Sequence, residues 1–137
     1  MVIMKTTHEV GDHNLVMVHQ KVNESGSATL SPGEAELYAS FFSVLSDPTR
    51  IRLLHLLIEA PEVGRTVSEL VTAVGAPQSR VSTHLGCLRW CGLVVATREG
   101  KQVYYRIADP RVRELLTLGG LMLRDHAAGV ASCGIIQ

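Results

Sequence analysis

The sequence predicts a mainly α-helical domain with a β-hairpin wing, a winged helix-turn-helix, and three observations point to it. Thr66-Val67-Ser68-Glu69 is a capping box, so a short helix carries Val67, Leu70, Val71 and Val74 to a stop at Gly75. Pro77 opens another helix after only a tight connection, and two short helices joined through a glycine make a helix-turn-helix. Beyond Gly92, the β-rich runs 93–98 and 102–107 flank the turn Glu99-Gly100-Lys101. A basic hairpin in that place is a wing.

The remaining elements follow from local patterning. Residues 1–33 read as an N-terminal extension, expected to be flexible, ending in the turn-rich Ser25-Gly26-Ser27 and Ser31-Pro32-Gly33. A helical pattern begins at Glu34, with Leu37, Phe41, Val44 and Leu45 at helix spacing, and Asp47-Pro48 ends it. Asp47 then serves as N-cap, with Pro48 at the first position of a second helix through Ile51, Leu53, Leu54, Leu57 and Ile58. Asp109-Pro110 repeats the device and starts a last helix that should run to about Ala127. The expected organisation is an extension over 1–33, a DNA-binding and dimerisation domain over 34–127 and a tail over 128–137 carrying Cys133.

A chain of 137 residues suits one domain with a core of its own. No apolar run approaches the roughly 18 residues of a membrane span, and Met1 to Lys5 lacks a signal-peptide apolar region, so a cytoplasmic protein is expected. In that compartment the three cysteines stay reduced, and an odd count favours metal or redox chemistry over a disulfide framework. Net charge is zero, but residues 77–137 carry eight basic and four acidic side chains against two and five in residues 1–46. The cations Arg80, Arg89, Arg98, Lys101, Arg106, Arg111 and Arg113 bracket the second helix of the pair and the hairpin, as phosphate contacts would require.

The helix after Pro77 has a readable face. With Val81 as origin, Leu85 and Leu88 fall within about 40° and define a buried stripe, while Ser79, Ser82, Thr83, Gly86 and Trp90 point away. Gln78 and Arg80 lie in the first turn, where a recognition helix reaches base edges. Cys87 and Cys91 fall at about 240° and 280°, on the border of core and solvent beside Arg80 and His84. A lone cysteine there would be a small packing residue. Two at i and i+4, with Cβ atoms about 5–6 Å apart, can turn both sulfurs onto one soft metal ion, and Cys133 is available as a third. His84 is a hydrogen-bonding or DNA-facing residue on this reading, and His8, His13 and His19 rank lower as ligands.

Taken together, Ser46-Asp47-Pro48-Thr49-Arg50 with its leucine-rich helix, the stretch 78–93 with Val81-Ser82-x-His84-Leu85, and the Glu99-Gly100-Lys101 wing resemble the ArsR/SmtB family over about residues 34–127. Within it, the stretch 84–97 with Cys87 and Cys91 is similar to the CmtR-type cadmium/lead sensors, whose third ligand cysteine lies in the C-terminal tail, where Cys133 falls. The other sensor sites of the family fit poorly: there is no cysteine between Thr66 and Val74, and Asp109 is followed by Pro110 and Arg111 rather than x-His.

The resemblance implies a homodimeric repressor that binds a palindromic double-stranded operator when metal-free. Gln78, Ser79, Arg80, Ser82, Thr83, His84, Arg98 and Lys101 would contact DNA, and the first and last helices would form the dimer interface, with Val112, Leu115, Leu116, Met122 and Leu123 supplying apolar contacts. Three thiolates at Cys87, Cys91 and Cys133 suit Cd, Pb or Hg as inducer better than four-coordinate Zn. A thiol redox or persulfide switch on the same fold is the competing reading. An enzyme built on Cys87 and His84 lacks an oxyanion-donating loop and an orienting third group, so no catalytic role is expected.

Overall fold

The structure, a computed structural model, describes residues 29–135; His8, His13 and His19 lie outside the described residues. The chain divides into two compact units between Phe42 and Ser43. Helix α1 (Pro32–Val44) makes up nearly all of the described part of the first. It starts two residues ahead of Glu34 because Ser31 and Glu34 cap it reciprocally: the Ser31 N–H donates to Glu34 Oε2 at 2.7 Å and the Glu34 N–H to Ser31 Oγ at 3.3 Å. Leu37, Tyr38, Phe41 and Phe42 along it are exposed.

The second unit holds α2 (Pro48–Ile58), β1 (Arg65–Thr66), α3 (Val67–Val74), α4 (Gln78–Trp90), β2 (Val94–Glu99), β3 (Gln102–Ile107) and α5 (Arg111–Ser132). Asp47 caps α2 by accepting from the Arg50 N–H, with Pro48 in the first turn. The capping box of Thr66 and Glu69 opens α3, and Gly75 ends it at φ +71°. These punctuation marks set three short helices whose apolar residues meet in one core. Leu53, Leu54 and Leu57 of α2, Leu70 and Val74 of α3, and Val81, Leu85 and Leu88 of α4 are buried together with Leu93, Val94 and Val112. Each fully buried Leu contributes about 1.5–3 kcal/mol, so α4 is anchored to its own chain along the predicted stripe.

The wing is an antiparallel hairpin in which Glu99 pairs with Gln102 around Gly100 and Lys101, Gly100 standing at φ +62°. A third strand, β1, adds to its other edge in the order β1-β3-β2, pairing Arg65 with Tyr105 and Thr66 with Tyr104. Two residues carry no periodicity, so this strand is invisible in the sequence. The neighbouring Gly64 is its trace: at φ +95°, a side chain there would run into the Tyr105 carbonyl.

Helix α5 continues to Ser132, past the end near Ala127 suggested by the sequence, and passes Gly119-Gly120 without a break. Ala127, Ala128 and Ala131 favour the helix, and the Ser132 hydroxyl donates back to the Ala128 carbonyl at 2.9 Å. Cys133 therefore caps a helix instead of lying well along a tail. Among the apolar residues expected at a dimer interface, Val112 is buried in the chain's own core and Leu116 packs against it. Leu115 is half-buried, and Met122 and Leu123 are exposed, as are Leu118, Leu121 and Val130, which the expectation did not include. No helix among the described residues is long and apolar enough to cross a membrane.

Candidate DNA interface and thiol pair

Burial of Val81, Leu85 and Leu88 turns the opposite face of α4 outward, and Gln78, Ser79, Arg80, Ser82 and Thr83 are all exposed on it. The Thr83 hydroxyl donates to the Ser79 carbonyl at 2.9 Å, which leaves its oxygen lone pairs directed outward as acceptors. On the wing, Arg98 and Lys101 are exposed, and Arg98 Nε donates to the Gly100 carbonyl at 3.3 Å, which ties the guanidinium to the turn.

Two cations counted towards the basic surface are held inside the fold's own hydrogen bonding. Arg111 grips Asp109, with Nη2 2.6 Å from Oδ2, and that hydrogen bond holds the Asp109 carboxyl below the usual carboxylate range. Arg113 donates to the Ile58 carbonyl at 2.7 Å and pairs with Glu59 at 3.8 Å. The basic surface beside α4 narrows to Arg80, Arg89, Arg98, Lys101 and Arg106.

His84 is turned away from the exposed face. Its Nδ1 lies 3.2 Å from Arg50 Nη1 and its Nε2 lies 3.8 Å from Asp47 Oδ1. Because arginine can only donate, Nδ1 stands as the acceptor towards Arg50 and Nε2 faces Asp47. The ring joins the first turn of α2 to the middle of α4, which is the hydrogen-bonded alternative of the two roles expected for it. At Asp47, burial raises the carboxyl pKa, but the Arg50 N–H, the neighbouring His84 ring and the Thr49 N–H outweigh it and leave the group below its ordinary value.

Cys87 and Cys91 lie on this same side of α4, Cys87 half-buried and Cys91 exposed at the C-cap. At i and i+4 their side chains are neighbours on the helix surface. Partial burial is the largest influence on the Cys91 thiol and pushes its pKa up; the charge and hydrogen bond of Cys87 add to this, and Arg50 opposes it. Both thiols are free, as is Cys133 at the far end of α5. Among the described residues no group of three or more His, Cys, Asp and Glu is gathered to hold a metal ion. The single chain thus assembles two soft donors and leaves the third apart.

Residues 47–95, from the α2 cap to the second residue of β2, match the family described as bacterial regulatory protein, arsR family. A "Probable mercury resistance operon repressor" of Streptomyces lividans is 43% identical over 95 residues, which cover 69% of this chain and 74% of that protein. The chain belongs to the ArsR family. Members are DNA-binding transcriptional regulators and not enzymes. The regulator CmtR of Mycobacterium bovis is 46% identical over 72 residues, 53% of this ArsR-family chain and 58% of CmtR. In structure, Rv0081 of Mycobacterium tuberculosis superposes with a TM-score of 0.66 at 38% identity, covering 75% of this chain and 100% of Rv0081. The homodimeric winged helix-turn-helix domain of Mb0332 from Mycobacterium bovis gives 0.60 at 33% identity, covering 74% and 94%. These likenesses show the winged helix-turn-helix fold independently of the patterning in the sequence.

Arg50 is the functional-site residue that patterning alone does not single out. Its guanidinium donates to the carbonyls of Ser43 and Val44 and meets His84. In the sequence it closes the stretch Ser46-Asp47-Pro48-Thr49-Arg50, but periodicity and charge give it no role distinct from that of Arg52, which donates to the Val74 carbonyl at 2.9 Å.

Proposed function

We propose that this protein is a homodimeric repressor that binds a palindromic operator when metal-free and releases it when Cys87, Cys91 and Cys133 take a thiophilic heavy-metal ion, Cd, Pb or Hg. The observation that carries the reading is the pairing of Cys87 and Cys91 on the helix whose outer face presents Gln78, Ser79, Arg80, Ser82 and Thr83. A site on that helix can bias DNA binding without an intermediary domain. The donor set is soft, which favours Cd, Pb or Hg over hard cations, and the mercury operon repressor and CmtR among its relatives agree with such an inducer. A bound ion would supply the attraction that gathers three thiolates, with Cys133 coming from the same chain or across the dimer.

In the metal-free state the first turn of α4 enters the major groove. Gln78 and Arg80 meet base edges, Ser79, Ser82 and Thr83 supply shorter-range donors and acceptors, and Arg98 and Lys101 of the wing hold phosphates. His84 supports this surface from behind. The exposed apolar residues of α5 and α1 supply the dimer contact, and dimerisation sets the two recognition helices one helical turn of DNA, or a multiple of it, apart. Gathering the end of α5 against α4 changes that spacing.

Operator titration by fluorescence anisotropy, metal-free and with Cd, Pb or Hg, tests the reading, the expected outcome being weaker binding with at least one ion. Equal affinity in all four conditions would sink it. An Arg80/Ser82/Thr83 triple alanine variant should lose operator preference, and unchanged affinity would overturn the assignment of α4 as reading head.

A further inference from the structure

Two kinds of contact hold α4 in the fold. Val81, Leu85 and Leu88 are fully buried, and because apolar burial is non-directional, this stripe fixes the helix against the core while tolerating a small turn about its axis. Hydrogen bonds are directional. Among the described residues, every side-chain hydrogen bond or ion pair that joins α4 to another element runs through His84, whose Nδ1 stands 3.2 Å from Arg50 Nη1 and whose Nε2 stands 3.8 Å from Asp47 Oδ1. The first turn of α4 has no side-chain cap, since Pro77 precedes it, and the Thr83 hydroxyl turns back onto its own helix. Half-buried Arg50 is fixed in turn by the Ser43 carbonyl at 3.1 Å, by the Val44 carbonyl, and through its own N–H by Asp47 at 3.1 Å. Two residues along α2, Arg52 donates to the Val74 carbonyl at 2.9 Å and to the Ala73 carbonyl at 3.3 Å. Both helices of the helix-turn-helix thus take a polar reference from α2.

Resting on the assignment of α4 as the reading head, we infer that Arg50 and His84 are positioning residues for operator recognition. The bond from the guanidinium to the imidazole sets the rotation of α4 about its own axis, and with it the direction in which Gln78, Ser79, Arg80, Ser82 and Thr83 point. His84 follows Thr83 in the chain and lies one turn beyond Arg80, so a rotation at His84 is passed to both. A turn of about 15° moves a side-chain tip that lies about 5–6 Å from the axis by about 1.5 Å. That displacement is more than a base-edge hydrogen bond tolerates. Phosphate contacts from long, flexible cations survive it, and those contacts carry non-specific binding. On this account neither residue touches DNA, and the signature of losing their bond is lost selectivity at nearly unchanged non-specific affinity.

The test reads a selectivity ratio on the full-length, metal-free protein by fluorescence anisotropy: Kd for a shuffled duplex over Kd for a duplex that the wild type selects from a random-sequence pool. A smaller folded fraction raises both constants alike and leaves the ratio unchanged, which separates positioning from stability. Arg50→Met and His84→Leu should each lower the ratio at least about tenfold, the scale of one base contact. Their Kd for the shuffled duplex, and its salt slope, should stay near the wild-type values. His84→Asn keeps an acceptor near the place of Nδ1 and should recover at least half of the logarithm lost in His84→Leu. The double variant Arg50→Met/His84→Leu should fall no further than the lower of the two single variants, because both remove the same bond. An unchanged ratio in either single variant overturns the inference, as do equal losses in His84→Asn and His84→Leu or additive losses in the double variant. The Arg80/Ser82/Thr83 triple alanine variant is run beside them: an unchanged ratio there overturns the assignment of α4 as reading head, and the inference with it, whereas a loss there without one in Arg50→Met overturns the inference alone. If Arg50→Met does not fold by circular dichroism, Arg50→Lys takes its place; it keeps the charge without the fork of donors and should lose part of the ratio, and a ratio equal to that of the wild type overturns the inference.

Discussion

Helices α4 and α5 both carry cysteines, and the chain holds them in opposite ways. In the 13 residues of α4, Val81, Leu85 and Leu88 are fully buried. In the 22 residues of α5 only Val112 is buried, while Leu118, Leu121, Met122, Leu123 and Val130 stand exposed. The first helix takes its position from its own chain. The second presents a run of exposed apolar residues, and a second copy is the occupant proposed above. The contrast separates the three thiols: Cys87 and Cys91 belong to the helix that its own chain anchors, and Cys133 caps the helix whose outer face is apolar and exposed.

Core truncation should give the largest effect and would break the contrast if it did not. Leu85→Ala should lower stability by about 2–5 kcal/mol in urea unfolding, whereas Leu121→Ala should cost far less in the same experiment at low protein concentration. Equal losses would mean that α5 is as firmly packed in the monomer as α4. Next in size, Leu121→Asp should dissociate the dimer in sedimentation, with helix content by circular dichroism near that of the wild type, and operator binding should fall with dimerisation. An unaltered dimer would place the interface elsewhere.

The sharper test concerns the cysteines themselves. Cys87→Ser and Cys91→Ser should each bring the release ratio, operator Kd with Cd over operator Kd without it, to about 1, from couplings of about 1–3 kcal/mol in allosteric proteins, and Cys133→Ser should leave partial release. If all three behave alike, the third thiol is as fixed as the pair. Metal affinity should also rise with pH, because the thiol protons must leave and that of Cys91 is held more tightly than usual. Titrations of Cd on either side of the ordinary thiol range would show it.

The smallest effect lies at the polar seam between α2 and α4. Asp47→Ala should cost about 1 kcal/mol at neutral pH through the lost N-cap. The Asp47 carboxyl is held below its ordinary pKa, so its contribution is fully present above that ordinary value and fades as pH falls through the lowered one. The wild type and Asp47→Ala should converge in stability under acid, and a gap that stays constant would show that the charge plays no part.

Much of the fold is legible in the sequence. The caps at Asp47 and Thr66, the stops at Gly75 and Gly100, and the stripe Val81, Leu85 and Leu88 are local signals, each acting within a turn or two of chain, and the structure places all of them as the sequence suggests. The thiol pair was legible for the same reason, since i and i+4 on a helix are neighbours by construction. The capping box at Ser31 and Glu34 is equally local, but Pro32-Gly33 reads as a turn and masks it. Strand β1 and the node at Arg50 had no such signal: one depends on Tyr104 and Tyr105 across the sheet, the other on His84 from another helix.

The sequence by itself determined which segments are helix and hairpin, which face of the recognition helix is apolar, and that two cysteines share its edge, because each follows from spacings shorter than one element. Only the tertiary structure decided that His84 turns inward to Arg50, that Arg113 is held by the end of α2, that Val112 belongs to the core, and that Cys133 stands apart from the other two thiols. Each of these depends on which groups distant in sequence compete for the same donor or the same apolar surface, and that competition is settled only when the elements pack.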